Sequence, residues 1–209
     1  MNREDKNMET KILDFNNQEL IEDIRNGEVV SFPTETVYGL GVIYDQEEAF
    51  ERLVRVKNRR PDKPFTLMLD DPKNIDKYAV ISEKTRRIVN KFMPGEITIL
   101  VKPKANLYPW VTLGSKYIGI RVAGKQEVCD MINKVGKPLL VTSANISSFP
   151  CATNFEESYE VFNNKIPAIV KGETRSSTPS TIVICDEELT LVRLGSISFE
   201  SIKEVWEEE

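Results

Sequence analysis

The feature that most constrains this chain is the length of its apolar runs. Each is strand-sized, stops at glycine, proline or a polar cluster, and gives way to a stretch with helical spacing. Strands of this size alternating with helices predict an α/β fold, a twisted mixed sheet with flanking helices, formed by residues 1–209 as a single domain. The runs Glu28–Phe32, Phe65–Leu69, Ile97–Val101, Tyr117–Ala123, Pro138–Thr142, Ile166–Val170, Ser180–Ile184 and Leu189–Leu194 read as strands. Between them, Asn16 or Asn17 can cap a helix running to Ile24, Asp45 a helix with Ala49, Phe50 and Leu53 on its apolar stripe, and Ser82 a helix to Phe92. Gln126–Val135 closes on Gly136, Asn154 caps a helix to Phe162, and Phe199–Trp206 is the last helix.

Composition removes several classes of chemistry. The chain has no histidine, so it lacks the usual general base, every histidine-dependent nucleophile and the commonest zinc ligand. Its three cysteines, Cys129, Cys151 and Cys185, are far apart and form no CxxC pair, which argues against a disulfide framework or a structural zinc site. A net charge of −5 speaks against broad, sequence-independent binding to nucleic acid. No run is long enough to span a membrane, and the charged start of the chain lacks the apolar centre of a signal peptide, so a cytoplasmic protein is expected.

Three clusters carry polar chemistry. Pro33 ends the first strand, and the Thr34-Glu35-Thr36-Val37-Tyr38-Gly39-Leu40-Gly41 stretch after it reads as a glycine-ended turn. It is either a ligand grip at a strand end or a capped turn with a packed tyrosine. Lys57-Asn58-Arg59-Arg60-Pro61-Asp62-Lys63-Pro64 places four cations in a stiff loop. If the loop is extended, Lys57, Arg59 and Lys63 share one side and can clamp a polyphosphate; otherwise they are a solvated charge run. Thr142-Ser143-Ala144-Asn145 is a second hydroxyl and amide cluster at a strand end, where Ser143 or Asn145 can also serve as helix caps.

Two arginines complete the set. Arg121 lies mid-strand in an apolar segment, so it needs a cleft or an acidic partner. A hairpin across Asp186-Glu187-Glu188 brings Arg193 near Ser180. Gly119–Gln126 approaches the phosphate-loop pattern but lacks its final hydroxyl, and the segment must itself be a strand.

Taken in order, Pro33–Gly41, Lys57-x-Arg59 with Lys63-Pro64, Pro94-Gly95, Gly119–Val122, Thr142–Asn145 and Pro179–Ile182 resemble the YrdC-like family of threonylcarbamoyl-AMP synthases over about residues 18–194. That resemblance implies a YrdC-like fold with a concave basic face. It implies an enzyme that makes threonylcarbamoyl-AMP and pyrophosphate from L-threonine, bicarbonate and ATP with Mg2+, for tRNA modification, with tRNA or the downstream transfer machinery as a partner. By matching positions, Lys57, Arg59, Lys63, Ser143, Asn145 and Arg193 would hold ATP, with Lys57 and Arg59 catalytic. Thr36, Arg121 and Ser180 would hold threonine. A paralogue that binds RNA or nucleotide, or acts on another substrate, is the alternative.

Overall fold

The structure is a computed structural model that describes residues 9–208; residues 1–8, in the charged N-terminal stretch, and residue 209 lie outside the described residues. The chain begins with β1 (Lys11–Leu13), α1 (Gln18–Arg25), β2 (Val30–Pro33), β3 (Tyr38–Ile43) and α2 (Glu47–Lys57). Next come β4 (Thr66–Leu69), a 3-10 turn (Pro72–Lys77), β5 (Ala79–Val80), α3 (Glu83–Phe92), β6 (Ile97–Pro103) and α4 (Pro109–Thr112). It finishes with β7 (Ile118–Val122), α5 (Gln126–Val135), β8 (Leu139–Ser143), α6 (Phe155–Phe162), β9 (Ala168–Val170), β10 (Thr181–Cys185), β11 (Leu189–Arg193) and α7 (Phe199–Glu207).

Eleven strands form one open mixed sheet in the order β1-β9-β2-β3-β8-β4-β7-β6-β10-β11, with β5 paired to β6. Helices sit where their caps and apolar stripes predict. The Asn17 side chain accepts from the Glu19 amide, Ser82 from Thr85, Asn154 from Glu157 and Ser198 from Ser201. Gly136, with φ 84°, supplies the left-handed residue that stops α5. Asp45 is not a cap. The residue before α2 is Gln46, which makes no side-chain cap bond, because the Asp45 carboxylate is taken by the Lys137 ammonium.

The largest departure from the sequence reading is β3. Tyr38 to Ile43 is a full strand, paired antiparallel with β2 through Pro33↔Tyr38 and with β8 through Gly39↔Ser143, so only residues 34–37 remain as a turn. Gly39 and Gly41 look like turn glycines but lie within this strand. A Cβ at Gly41 would come within 2.8 Å of the Phe32 ring, so glycine here lets the strand lie flat against an aromatic neighbour. The segment read as a loop from Lys102 to Lys116 contains the end of β6 and α4, where Trp110 donates to the Tyr44 carbonyl at 2.8 Å. β1, β5 and the 3-10 turn are too short to leave a periodic signal.

Tyr38 ties β3 across β2 to the end of β9. Its ring is fully buried, and its hydroxyl donates to the carbonyls of Gly172 at 2.7 Å and Val170 at 3.1 Å. Burial pushes its phenol pKa well above the usual value. Tyr38→Phe removes the only donor for that contact and should cost about 1–2 kcal/mol. Urea unfolding should show a lower midpoint at unchanged slope.

Candidate functional site

A cavity of about 400 Å³ lies across one face of the sheet, the size range of small-molecule sites. Its floor follows the two-residue period of strands: Thr66 and Met68 on β4, Gly119 and Arg121 on β7, Thr98 and Leu100 on β6, Val141 and Ser143 on β8. The turn with Thr34 and Thr36 forms one wall, and Ser180, Ile182 and Arg193 form the opposite one. The site therefore spreads over the sheet face rather than sitting only at strand ends. Its lining holds Arg59, Arg121 and Arg193 and no carboxylate.

The cationic loop is not extended. α2 runs to Lys57, Asn58 turns left-handed at φ 48°, and the Arg59 amide bonds back to the Val54 carbonyl at 3.1 Å, so this is a helix C-cap and the shared-parity expectation fails. Lys57 instead points inward and is 3% exposed. Its ammonium donates to the Ser143 carbonyl at 2.5 Å and to Asn145 Oδ1. Asn145 in turn donates to the carbonyls of Ile146 at 3.0 Å and Phe149 at 2.8 Å. Ser143 and Asn145 are therefore ligands of a buried cation and not helix caps. Burial first, and the neighbouring Arg59 charge second, pull the Lys57 pKa down to about 7.

Arg59 reaches the cavity. Its Nη2 donates to the Pro64 carbonyl at 3.1 Å, its plane lies over the Phe65 ring, and its Nε is buried without a partner. Lys63 is exposed on the outer turn, where its amide contacts the Arg60 carbonyl, and it does not line the cavity. Arg60 faces outward, paired with Asp62 at 2.6 Å.

At the other pole, Arg121 Nη2 donates to Glu35 Oε1 at 2.6 Å and to Thr36 Oγ1 at 3.0 Å. Thr36 is held by Thr34 through a hydroxyl pair at 2.8 Å. Arg193 lies where the hairpin register puts it, opposite Ile182, and donates to the Ser180 carbonyl at 2.8 Å. Burial and then the Arg121 charge lower its pKa. Ser180 Oγ shares a hydrogen bond with Thr98 Oγ1 at 2.9 Å. Thr98 was not singled out from sequence, since one β-branched hydroxyl in an apolar strand carries no local signal.

Of the sequence-predicted residues, Thr36, Arg59, Arg121, Ser143, Ser180 and Arg193 line one cavity, Lys57 and Asn145 stand directly behind Ser143, and Lys63 stands apart. Among the described residues no group of three or more His, Cys, Asp or Glu side chains is placed to hold a metal ion, and no helix is long and apolar enough to cross a membrane.

Residues 22–195 match the profile of the Sua5/YciO/YrdC family, described as telomere recombination. The chain belongs to this family. A Methanocaldococcus jannaschii member, provisionally named a threonylcarbamoyl-AMP synthase, is 31% identical over 206 residues, covering 94% of this chain and 97% of its own length. The threonylcarbamoyl-AMP synthase of Bacillus subtilis is 33% identical over 187 residues, covering 87% of this chain and 54% of the relative. The crystal structure of Pyrococcus abyssi Sua5 complexed with L-threonine superposes with a TM-score of 0.84 at 30% identity, covering 88% of this chain and 55% of that one. The chain thus spans about half the length of the last two family members and nearly all of the first.

The burial of Lys57 makes folding a proton-linked event. Its folded pKa, about 7, lies below the ordinary lysine value of 10.5, so between those two values the unfolded chain holds the proton more tightly and the penalty on folding is relieved as pH rises. Urea unfolding at pH 7 to 9 should therefore show wild type gaining stability relative to Lys57→Met as pH rises.

Proposed function

We propose that this chain is an L-threonylcarbamoyladenylate synthase, a nucleotidyltransferase. It joins L-threonine, bicarbonate and ATP into threonylcarbamoyl-AMP and pyrophosphate, for the threonylcarbamoyladenosine modification of tRNA beside the anticodon. The observation that carries this reading is a single cavity with two cationic poles, Arg121 with Thr36 at one and Arg59 with Ser143 at the other, with Lys57 buried behind Ser143. Family membership and the threonylcarbamoyl-AMP synthase names of its relatives point the same way.

In this reading the threonine carboxylate meets Arg121, and Thr36 and Ser180 complete that pole. The amine of threonine attacks the carbon of bicarbonate, a C–O bond breaks, and the oxygen leaves as water with an amine proton, giving a carbamate. The carbamate oxygen then attacks the α-phosphorus of ATP, and the bond to pyrophosphate breaks. Arg59 and Lys57 neutralise charge growing on the departing pyrophosphate, while Ser143, Asn145 and Arg193 hold the phosphates; Lys63 would add charge from the outer turn. The nucleophile is the substrate's own carbamate oxygen, which suits a chain without histidine. Magnesium enters on the phosphates of ATP, since the lining offers hydroxyls and guanidinium groups and no carboxylate. We place the reaction in the cytoplasm, with tRNA or the machinery that transfers the threonylcarbamoyl group downstream.

Purified protein with L-threonine, bicarbonate, magnesium and ATP should release pyrophosphate. Release that is unchanged when threonine or bicarbonate is omitted would contradict the assignment. Arg59→Ala should lower kcat/KM by about 2–4 kcal/mol, the scale of one lost charge-stabilising donor, with little change in Tm. Lys57→Ala should lower both activity and Tm, because Ser143 and Asn145 then lose a buried donor. Arg60→Ala, outside the cavity, should retain activity.

A further inference from the structure

Glu35 sits at the tip of the hairpin between Thr34 and Thr36, 5% exposed, and is buried deeply enough that its charge needs a reason. The turn does not need it. Thr34 closes the turn on its own, its amide and hydroxyl both donating to the Val37 carbonyl, at 3.3 and 2.7 Å, and its Oγ1 accepting from the Thr36 amide at 3.2 Å. Nor is the carboxylate placed for the best ion pair. Only Oε1 meets Arg121, while Glu35 Oε2 and Arg121 Nε are both buried without partners, so the bidentate pairing open to these two groups is not used.

What this arrangement does is hold the guanidinium by one amino group. Nη2 gives its two hydrogens to Glu35 and Thr36, which leaves Nη1 as the arm with no protein partner among the described residues, on a side chain that lines the cavity. The support is rigid: the Glu35 carbonyl accepts from the Arg175 amide at 3.1 Å, and a Cβ on Gly124 would lie 3.3 Å from the Glu35 carboxyl carbon. The carboxylate also offsets the Arg121 charge at this pole. Arg59, whose cavity lining partners include no carboxylate, keeps its full charge for a polyphosphate.

We propose that Glu35 is a positioning and specificity-determining residue: it orients Arg121 and offsets its charge, so that this pole accepts the single carboxylate of an amino acid and turns away polyphosphate. The inference rests on the proposed function and deepens it. It accounts for how two cationic poles in one cavity are kept from exchanging ligands.

The test is binding without turnover. L-threonine is titrated into wild type, Glu35→Gln and Glu35→Asp, alone and with saturating inorganic tripolyphosphate. Wild type should bind threonine equally in both conditions. Glu35→Gln, isosteric but uncharged, should bind threonine at least about tenfold more weakly once tripolyphosphate is present, in competitive fashion. Glu35→Asp keeps the charge on a shorter arm, so threonine should weaken without competition appearing. Threonine binding in Glu35→Gln that matches wild type in both conditions would overturn the inference alone. So would equal losses of threonine and tripolyphosphate affinity together with a fall in Tm, which would make Glu35 merely structural. Wild type that binds no threonine would instead overturn the proposed function itself.

Discussion

Charge taken out of water governs this face of the sheet. Lys57, Glu35 and Arg121 are each nearly inaccessible, and an uncompensated ion in such a position costs several kcal/mol. Compensation comes from groups the backbone fixes in advance. Lys57 is met by the Ser143 carbonyl at the end of β8, and its own carbonyl accepts from Ser147 at 2.9 Å, so the end of α2 and the loop after β8 each hold the other in place. A side chain fixed this way has little conformational freedom left to lose.

How much of this could be read in advance depended on whether the deciding partner was local. The bounds of α5 were legible because Gly136 stops the helix one residue after Val135, and the contact of Arg193 with Ser180 was legible because a hairpin fixes register. The grouping of Thr36, Arg121, Ser143 and Ser180 was implied by the family resemblance, and they line one cavity. Elements whose neighbours lie far along the chain were not legible. Gly39 and Gly41 signal a turn until Phe32 and Val141 are seen packing against them. Asp45 signals a cap until Lys137 claims it. Lys57, Arg59 and Lys63 share parity only in an extended chain, and Asn58 breaks that by turning left-handed. Thr98 had no signal, since its value comes entirely from Ser180 across the β6–β10 pairing.

The cavity is as much a product of missing side chains as of present ones. Gly119 lies on its floor, where a Cβ would stand 3.3–3.4 Å from Leu100, Thr66 and Thr98. Flanked by Thr66 on β4 and Leu100 on β6, it keeps the sheet face low between the two poles. The same face carries Met68 beside Arg121, a flexible, polarizable side chain that shapes the space without adding charge.

The strand order carries a further consequence. Site residues run from Thr34 to Arg193, and neighbours in the sheet such as β3 and β8, or β6 and β10, are separated by long stretches of chain. Helices with good caps can form early and locally, but no pole of the cavity exists until those distant strands have paired. Loop-closure entropy must be overcome before any of the site's hydrogen bonds is gained, so folding of this topology is paced by its non-local contacts. The cavity is therefore a property of the completed sheet, and no contiguous segment of the chain carries either of its poles by itself.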